Sequence, residues 1–199
     1  MPTGPDKGRD LPEAFAKSGV VAGVTYPVFR GRAPDVLPGA LHSGAWLCDG
    51  LSVFHDATEA EAPAVRLEIS PDGPVFNVAD GEIGYLSVSA KLPPSACAAI
   101  GPGRVLDVDL SAVASRAVPV YVRLNLDTQP EPVTLHDLVI ASDIPRRVTF
   151  NFDAVVYPLD DARDGAWVDV IFSKPGGRHI ALKDLSLAIR TQGWPTPGL

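Results

Sequence analysis

The sequence predicts an all-β protein, an antiparallel two-sheet β-sandwich, from three observations. From about residue 45 onward, apolar residues recur at every second position in short runs, which is the period of a half-buried strand. The chain carries 20 Pro and 18 Gly, spread between those runs, and such punctuation is typical of many turns. Within this part of the chain, only residues 95–100 and 111–117 have the pattern of a helical turn, and both segments are short.

The first strand runs are separated by clear turn signals. They are LSVFHDA (51–57), AVRLEIS (64–70) and GYLSVSAKL (84–92), with SPDGP and VADGE as turns. RVLDVDL (104–110) then places aliphatic side chains on one face and Asp107 and Asp109 on the other. VPVYVRLNLDT (118–128) repeats this pattern, with four residues predicted to point inward: Val120, Val122, Leu124 and Leu126.

The remaining runs complete the set. VTLHDLVI (133–140) is followed by RVTFNFDAVV (147–156), in which Val148, Phe150 and Phe152 alternate with polar residues. AWVDVIFS and the final apolar run then form a hairpin around a Pro-Gly-Gly turn, with one apolar face on each strand. Eight or so strands with one-sided alternation favour a sandwich over a barrel, because the inner faces of stacked sheets require it.

At 199 residues the chain has room for one well-buried core. Residues 1–35 are rich in Gly, Pro and charge, and we expect an N-terminal arm in which Asp10 caps a short helix that Gly19 closes. The sandwich domain is predicted over residues 36–192, with a C-terminal tail at 193–199. An arm with few apolar anchors packs on its own domain or orders on a partner.

Charge and composition exclude several classes of partner. The net charge is −7 and the pI about 5.0, and the 17 basic residues form no cluster, so neither nucleic acid nor an anionic membrane is expected. The chain has no run of 18 apolar residues and no signal-peptide pattern, which predicts a cytoplasmic location by default, or association with a particle. Cys48 and Cys97 lie in apolar surroundings and are predicted to be reduced, partly buried thiols.

No catalytic motif emerges, and the protein is not expected to be an enzyme. The four histidines stand in no zinc-binding spacing: His42, His55, His136 and His179. His55 and Asp56 are neighbours on a strand and therefore point to opposite faces, which argues against a proton relay between them. The sequence contains neither a GxSxG elbow nor a phosphate-binding loop.

The order of four segments resembles a known fold. GYLSVSAKLP, VYVRLNLDT, VTFNFDAVV and WVDVIFSKPGGRHIALKDLSL together resemble the galactose-binding-like jelly roll of many carbohydrate-binding modules. LSVFHDA, RLN and WVDVIF…ALKDL are similar to a bacterial family known only as a domain of unknown function. The resemblance spans roughly residues 45–190. It implies a jelly-roll sandwich in which an outer sheet face or a loop end holds a sugar.

The resemblance also implies a candidate metal ligand. In related jelly rolls an acid at the start of the last strand helps to bind a structural calcium, and Asp184 holds that position, with Asp49 or Asp56 as further candidates. Calcium takes six to eight oxygen ligands, so one Asp is a small part of such a site. The sequence favours the alternative that Asp184 accepts amide hydrogen bonds at the hairpin, and no other cofactor is expected.

Sugar recognition requires apolar platforms for the C–H faces of the ring and planar polar groups for its hydroxyls. Three outward rows offer these groups: Tyr121, Arg123, Asn125 and Asp127; Asn151 and Asp153; Trp167 and Asp169. If their three strands are neighbours, the rows form one polar surface with an aromatic edge. The alternative is a solvated face with cross-strand ion pairs, and the exposure of Trp167 separates the two.

These residues lead to one functional prediction and one alternative. We expect a non-catalytic module that recognises a carbohydrate or a protein partner. The alternative is a structural or assembly subunit of a larger particle, such as a phage-like spike or decoration protein, which assembles through residues 1–35 and could itself bind glycans.

Overall fold

The computed structural model describes residues 19–26, 29, 37–58, 64–127, 133–154 and 165–193. Seven strands precede a short helix: β1 (Val20–Thr25), β2 (Gly39–Ala40), β3 (Ala45–Cys48), β4 (Leu51–His55), β5 (Val65–Ser70), β6 (Gly73–Val78) and β7 (Tyr85–Lys91). The helix is α1 (Pro94–Cys97). It is followed by β8 (Arg104–Ala114), β9 (Pro119–Leu126), β10 (Val133–Ile140), β11 (Ser142–Asn151), a 3-10 turn (Phe152–Ala154), β12 (Ala166–Ser173) and β13 (His179–Thr191).

The strands form two antiparallel sheets. The seven-stranded sheet has the order β11-β8-β13-β6-β5-β2, with β1 also paired to β13. The six-stranded sheet has the order β10-β9-β12-β7-β4-β3. The predicted two-sheet antiparallel sandwich is confirmed, and the described residues contain more strands than the eight or so expected.

The core lies between the two sheets and follows the predicted alternation. On β9 the four inward residues, Val120, Val122, Leu124 and Leu126, have no exposed surface. The facing sheet contributes buried residues from β8 and β11, including Val108 and Phe150. A two-residue period with one buried face therefore describes both sides of the core.

Two local predictions are corrected by the structure. Residues 111–114, expected to begin a helical turn, complete β8, because Ala112 continues the buried alternation of that strand. Asp184, expected at the start of the last strand, lies inside β13, since that strand already begins at His179. A register shift between Leu182 and Asp184 marks a bulge at this point.

Part of the predicted arm belongs to the sandwich. β1 lies within residues 1–35 and pairs with β13, and Ala22 and Tyr26 are buried in the core. The Tyr26 hydroxyl donates a hydrogen bond to the Lys91 carbonyl oxygen on the six-stranded sheet, at 3.1 Å. The predicted short helix falls on residues 10–18, outside the described residues, as does the tail from residue 194. Assembly through the arm therefore stays a prediction.

Both cysteines are buried and unbridged, as expected. Burial raises the pKa of the Cys97 thiol. Within the described ranges, no helix is long and apolar enough to cross a membrane.

Tyr26 makes a prediction about alkaline stability. Burial raises the pKa of the Tyr26 phenol above its ordinary value, and nearby Cys48 and Asp49 add to the effect. In the unfolded chain this phenol ionises from about pH 10, whereas in the folded protein it stays neutral. The free energy of unfolding therefore does not depend on this group below about pH 10 and decreases above it. The expected loss is about 1.4 kcal/mol per pH unit above pH 10.

Urea unfolding of the wild type and Tyr26→Phe between about pH 8 and 11 tests this point. At neutral pH the variant should lose about 1 kcal/mol with its hydrogen bond to Lys91, but its stability should fall less steeply at high pH. Tyr85→Phe, which changes an exposed phenol, should follow the wild-type profile. Parallel profiles for Tyr26→Phe and the wild type would contradict the prediction.

Candidate functional site: a groove on the six-stranded sheet

A groove of about 880 Å³ lies on the outer face of the six-stranded sheet. Its lining side chains come from five neighbouring strands, β9, β12, β7, β4 and β3. Most of them occupy the alternate positions that face away from the core, although the buried Ala166 and residues 50, 127 and 165 beside the strands also line the groove. Because side chains alternate between the two faces of a strand, the residues between the inward core positions point outward and line the groove.

Strand register aligns the lining residues in rows across the sheet. In the central row Arg123 lies opposite Asp169, Asp169 opposite Ser89, Ser89 opposite Ser52, and Ser52 opposite Trp46. Four inter-strand spacings separate the ends of this row, which makes it about 19 Å long. The row has a charged end, a floor of small hydroxyls and an aromatic end.

A clamp of three polar side chains forms the charged end. Arg123 donates to Asp169 Oδ2 from Nε at 3.1 Å and from Nη2 at 2.7 Å. Asn125 Nδ2 donates to the same oxygen at 2.9 Å. The Asp169 side chain is only 7% exposed, whereas that of Arg123 is 45% exposed. A buried carboxylate therefore holds a half-exposed guanidinium in a fixed orientation, and its other oxygen, Oδ1, receives none of these hydrogen bonds.

Aromatic side chains flank the groove. Trp46 is 62% exposed, and Phe54 and Tyr85 also present large apolar surfaces to solvent. Trp167 is half-buried and lines the groove between Asn125 and Lys91 on the adjacent strands. It lies outside the core but is not fully exposed, so its role as a platform stays a prediction.

The groove floor contains a buried hydroxyl without a partner. Ser87 is only 5% exposed, and its Oγ has no hydrogen-bond partner among the described residues. Ser52 and Ser89 lie beside it on the floor. A buried polar atom left unpaired costs free energy, and such an atom in a native groove calls for an explanation.

The structure brings five of the predicted site residues together. Arg123, Asn125, Trp167 and Asp169 form or adjoin the clamp, because β9 and β12 are neighbours. Tyr121 lies on the same outer face, opposite Ile171 of β12.

Asn151 and Asp153 lie elsewhere, so the condition that the three strands are neighbours is not met. The chain changes sheets between β10 and β11, so β11 is an edge of the seven-stranded sheet. Asn151 Oδ1 accepts the Asp153 backbone N–H at 2.9 Å, and Asp153 Oδ1 accepts the Gly103 N–H at 2.7 Å. The Asn151 side chain stabilises a local turn, whereas the Asp153 side chain binds the turn at Gly103, 50 residues earlier in the chain.

Other groove residues were missed at the sequence level. GYLSVSAKL places Tyr85, Ser87, Ser89 and Lys91 on one face, and LSVFHDA places Ser52 and Phe54 on one face. This alternation was visible, but serines and single aromatics on an outward face carry no functional signal until their strands are known to be adjacent.

The candidate calcium ligands are not assembled. Asp184 lies in the seven-stranded sheet opposite Ser111, whereas Asp49 and Asp56 flank β4 in the other sheet. Asp56 Oδ1 instead accepts the backbone N–H groups of Gly84 and Tyr85, at 3.0 and 3.1 Å. Among the described residues, no three His, Cys, Asp or Glu side chains are grouped to hold a metal ion.

His55 and Asp56 make separate contacts. The ring Nε2 of His55 lies 3.0 Å from the Leu41 carbonyl oxygen, whereas Asp56 binds the amides that precede and begin β7. The two side chains thus occupy opposite faces, as the strand period predicts.

A family model described as a family of unknown function, DUF6478, matches residues 25–193. The chain belongs to the DUF6478 family. The matched range includes every strand from β2 to β13, and so all of the groove. No protein with curated annotation matches this DUF6478 chain.

Several solved structures are similar to this DUF6478 protein. The C-terminal family 22 carbohydrate-binding module of Clostridium thermocellum Xyn10B aligns over 91% of this chain and 98% of its own, at 10% identity and a TM-score of 0.43. The N-terminal cellulose-binding domain of Cellulomonas fimi β-1,4-glucanase C aligns over 76% and 91%, at 20% identity and a TM-score of 0.40.

The enzymatically active domain of bacteriophage CBA120 tailspike protein 4 aligns over 70% of the DUF6478 chain, at 13% identity and a TM-score of 0.39. The DUF6478 chain spans only 17% of that tailspike chain.

Proposed function

We propose that this protein is a non-catalytic carbohydrate-binding module whose groove on the six-stranded sheet holds a glycan. One observation carries the proposal: aromatic side chains flank a hydroxyl-lined floor that ends in a preorganised Arg–Asp–Asn clamp. Each part matches one feature of a sugar.

The aromatic rings match the apolar faces of a sugar. Trp46 and Trp167 are flat, rigid surfaces with few rotatable bonds, so contact with the C–H face of a pyranose costs little side-chain entropy. Their position on opposite parts of the groove, on β3 and β12, suits a ligand that extends across several strands.

The clamp matches the hydroxyl groups. Arg123 and Asp169 together present donors and acceptors in fixed geometry, because Asn125 and Arg123 both bind Asp169 Oδ2. A site held in place before the ligand arrives loses less free energy on binding.

The unpaired Ser87 hydroxyl supports the same conclusion. A buried Oγ on the groove floor gains its missing hydrogen bond when a hydroxylated ligand occupies the groove. Flat apolar surfaces alone would also suit a non-sugar ligand, but a floor of hydroxyls beside a charged clamp favours a ligand that is itself rich in hydroxyls.

Glycan-array screening of the full chain, followed by calorimetric titration of the best glycan, tests the proposal. Trp46→Ala and Trp167→Ala should each weaken binding about tenfold or more, since each removes a ring from the groove. Val21→Ala, which truncates an exposed apolar residue on the other sheet, should leave affinity unchanged. Failure of every glycan to bind, or unchanged affinity in both Trp variants, would refute the proposal.

Ser87→Ala should separate a binding role from a structural one. The variant should bind the glycan about three- to tenfold more weakly, because the ligand loses one hydrogen bond. Its free energy of unfolding should stay equal or rise, since the hydroxyl has no partner in the folded protein. Ser186→Ala on the seven-stranded sheet serves as the matched control. A loss of stability in Ser87→Ala with unchanged affinity would indicate a structural role.

A further inference from the structure

The charges of the groove are few and balanced. Its lining contains Lys91 and Arg123 as cations and Asp127 and Asp169 as anions, so its formal charge is zero. Lys91 is the last residue of β7 and Asp127 follows β9, whereas Arg123 and Asp169 lie in the central row of the groove. The floor and the aromatic part of the groove carry no formal charge.

Asp169 neutralises the cation nearest to the centre of the groove. Two nitrogen atoms of the Arg123 guanidinium donate to its Oδ2, the nearer at 2.7 Å. The carboxylate is almost fully buried, so its charge is poorly screened by solvent, whereas Arg123 is half-exposed. A ligand carboxylate that approached Arg123 would therefore meet a fixed negative charge directly behind it.

We infer that the groove selects uncharged glycans over acidic ones, and that Asp169 is the residue that determines this selectivity. The inference rests on the proposed function and adds the chemical class of the ligand. Hydroxyl groups use the guanidinium and carboxylate as donor and acceptor without adding charge. A uronate or sulfate group adds an anion beside Asp169 and Asp127, and displacing Asp169 from Arg123 would deprive a buried carboxylate of its cation and leave it the hydrogen bond from Asn125.

Long-range repulsion is a separate effect that salt removes. The net charge of −7 repels any polyanion, but charges separated by more than about 10 Å are screened at ordinary ionic strength. A preference for neutral over acidic glycans that originates at Asp169 acts at contact distance, so it should persist at high salt concentration.

The experiment compares one polysaccharide backbone with and without carboxylate substituents. Affinity electrophoresis of the full-length protein is run at low salt and at about 0.5 M salt. The wild type should bind the neutral form about tenfold or more tightly than the carboxylated form under both conditions. Asp169→Asn retains the shape and an acceptor oxygen but removes the charge, and its discrimination should fall below about threefold or reverse.

Asp109→Asn is the matched control. It removes one negative charge from the outer face of the seven-stranded sheet, so its discrimination should equal that of the wild type. Equal or tighter wild-type binding of the carboxylated form, or full discrimination by Asp169→Asn, would overturn this inference and leave the proposed function standing. Absence of binding to any neutral or charged glycan would overturn both.

Discussion

Replacing Asp107 by Ala is expected to lower the free energy of unfolding by about 3–5 kcal/mol. The Asp107 side chain is only 4% exposed on the outer face of the seven-stranded sheet. It accepts hydrogen bonds from Arg190 Nε at 2.5 Å and from Thr149 Oγ1 at 2.7 Å, and Arg147 Nη1 lies 4.0 Å away. Without the carboxylate, the largely buried Arg190 guanidinium loses the anion that offsets its desolvation.

Asp109→Ala is the matched control for this variant. Asp109 is two residues away on the same face, but it is 25% exposed, and its partner Arg147 also retains Asp107 nearby. The hydrogen bond to Asp109 raises the pKa of Arg147, although partial burial opposes this effect. We expect Asp109→Ala to cost about 1 kcal/mol in urea unfolding. Equal losses for the two variants would show that burial does not decide the contribution of these carboxylates.

Phe172→Ala should lower the free energy of unfolding by about 3–5 kcal/mol. Phe172 has no exposed surface and lies on β12, which pairs with β9 on one side and β7 on the other. Removal of the ring leaves a cavity that strands paired on both sides cannot close, so both the lost transfer free energy and the cavity contribute.

Ile171→Ala tests the opposite face of the same strand. Ile171 is the preceding residue, is only partly buried and lines the groove. Its truncation should cost about 1 kcal/mol of stability and weaken glycan binding, whereas Phe172→Ala should mainly affect stability. Chemical denaturation and calorimetric titration of both variants measure the two effects. A larger stability loss for Ile171→Ala would contradict the assignment of the two faces.

The sequence alone was enough to predict which side chains of five strands enter the core, but not that Ala22 and Tyr26 of the predicted arm do so. The inward series on β8, β9, β11, β12 and β13 is buried as expected, including Val122, Leu124 and Phe150. This success has a local cause, since the strand backbone itself alternates side chains between two faces, and burial imposes apolar residues on one of them.

The candidate site was predicted in part, for the same reason. Tyr121, Arg123, Asn125, Trp167 and Asp169 were assigned to outward faces, and all lie on the outer face of the six-stranded sheet. Their alternation did not reveal that Asn125 and Asp169 are nevertheless buried, because depth on an outward face depends on the neighbouring strands.

Only the tertiary structure decided which strands lie side by side. In the structure, β12 lies between β9 and β7, and β11 with Asn151 belongs to the other sheet. β1, which lies within the predicted arm, pairs with β13. These pairings join residues far apart in the chain, so they are selected by the packing of two whole sheets and not by any local pattern. The groove depends on this strand order, because each of its five strands contributes only a few of the lining residues.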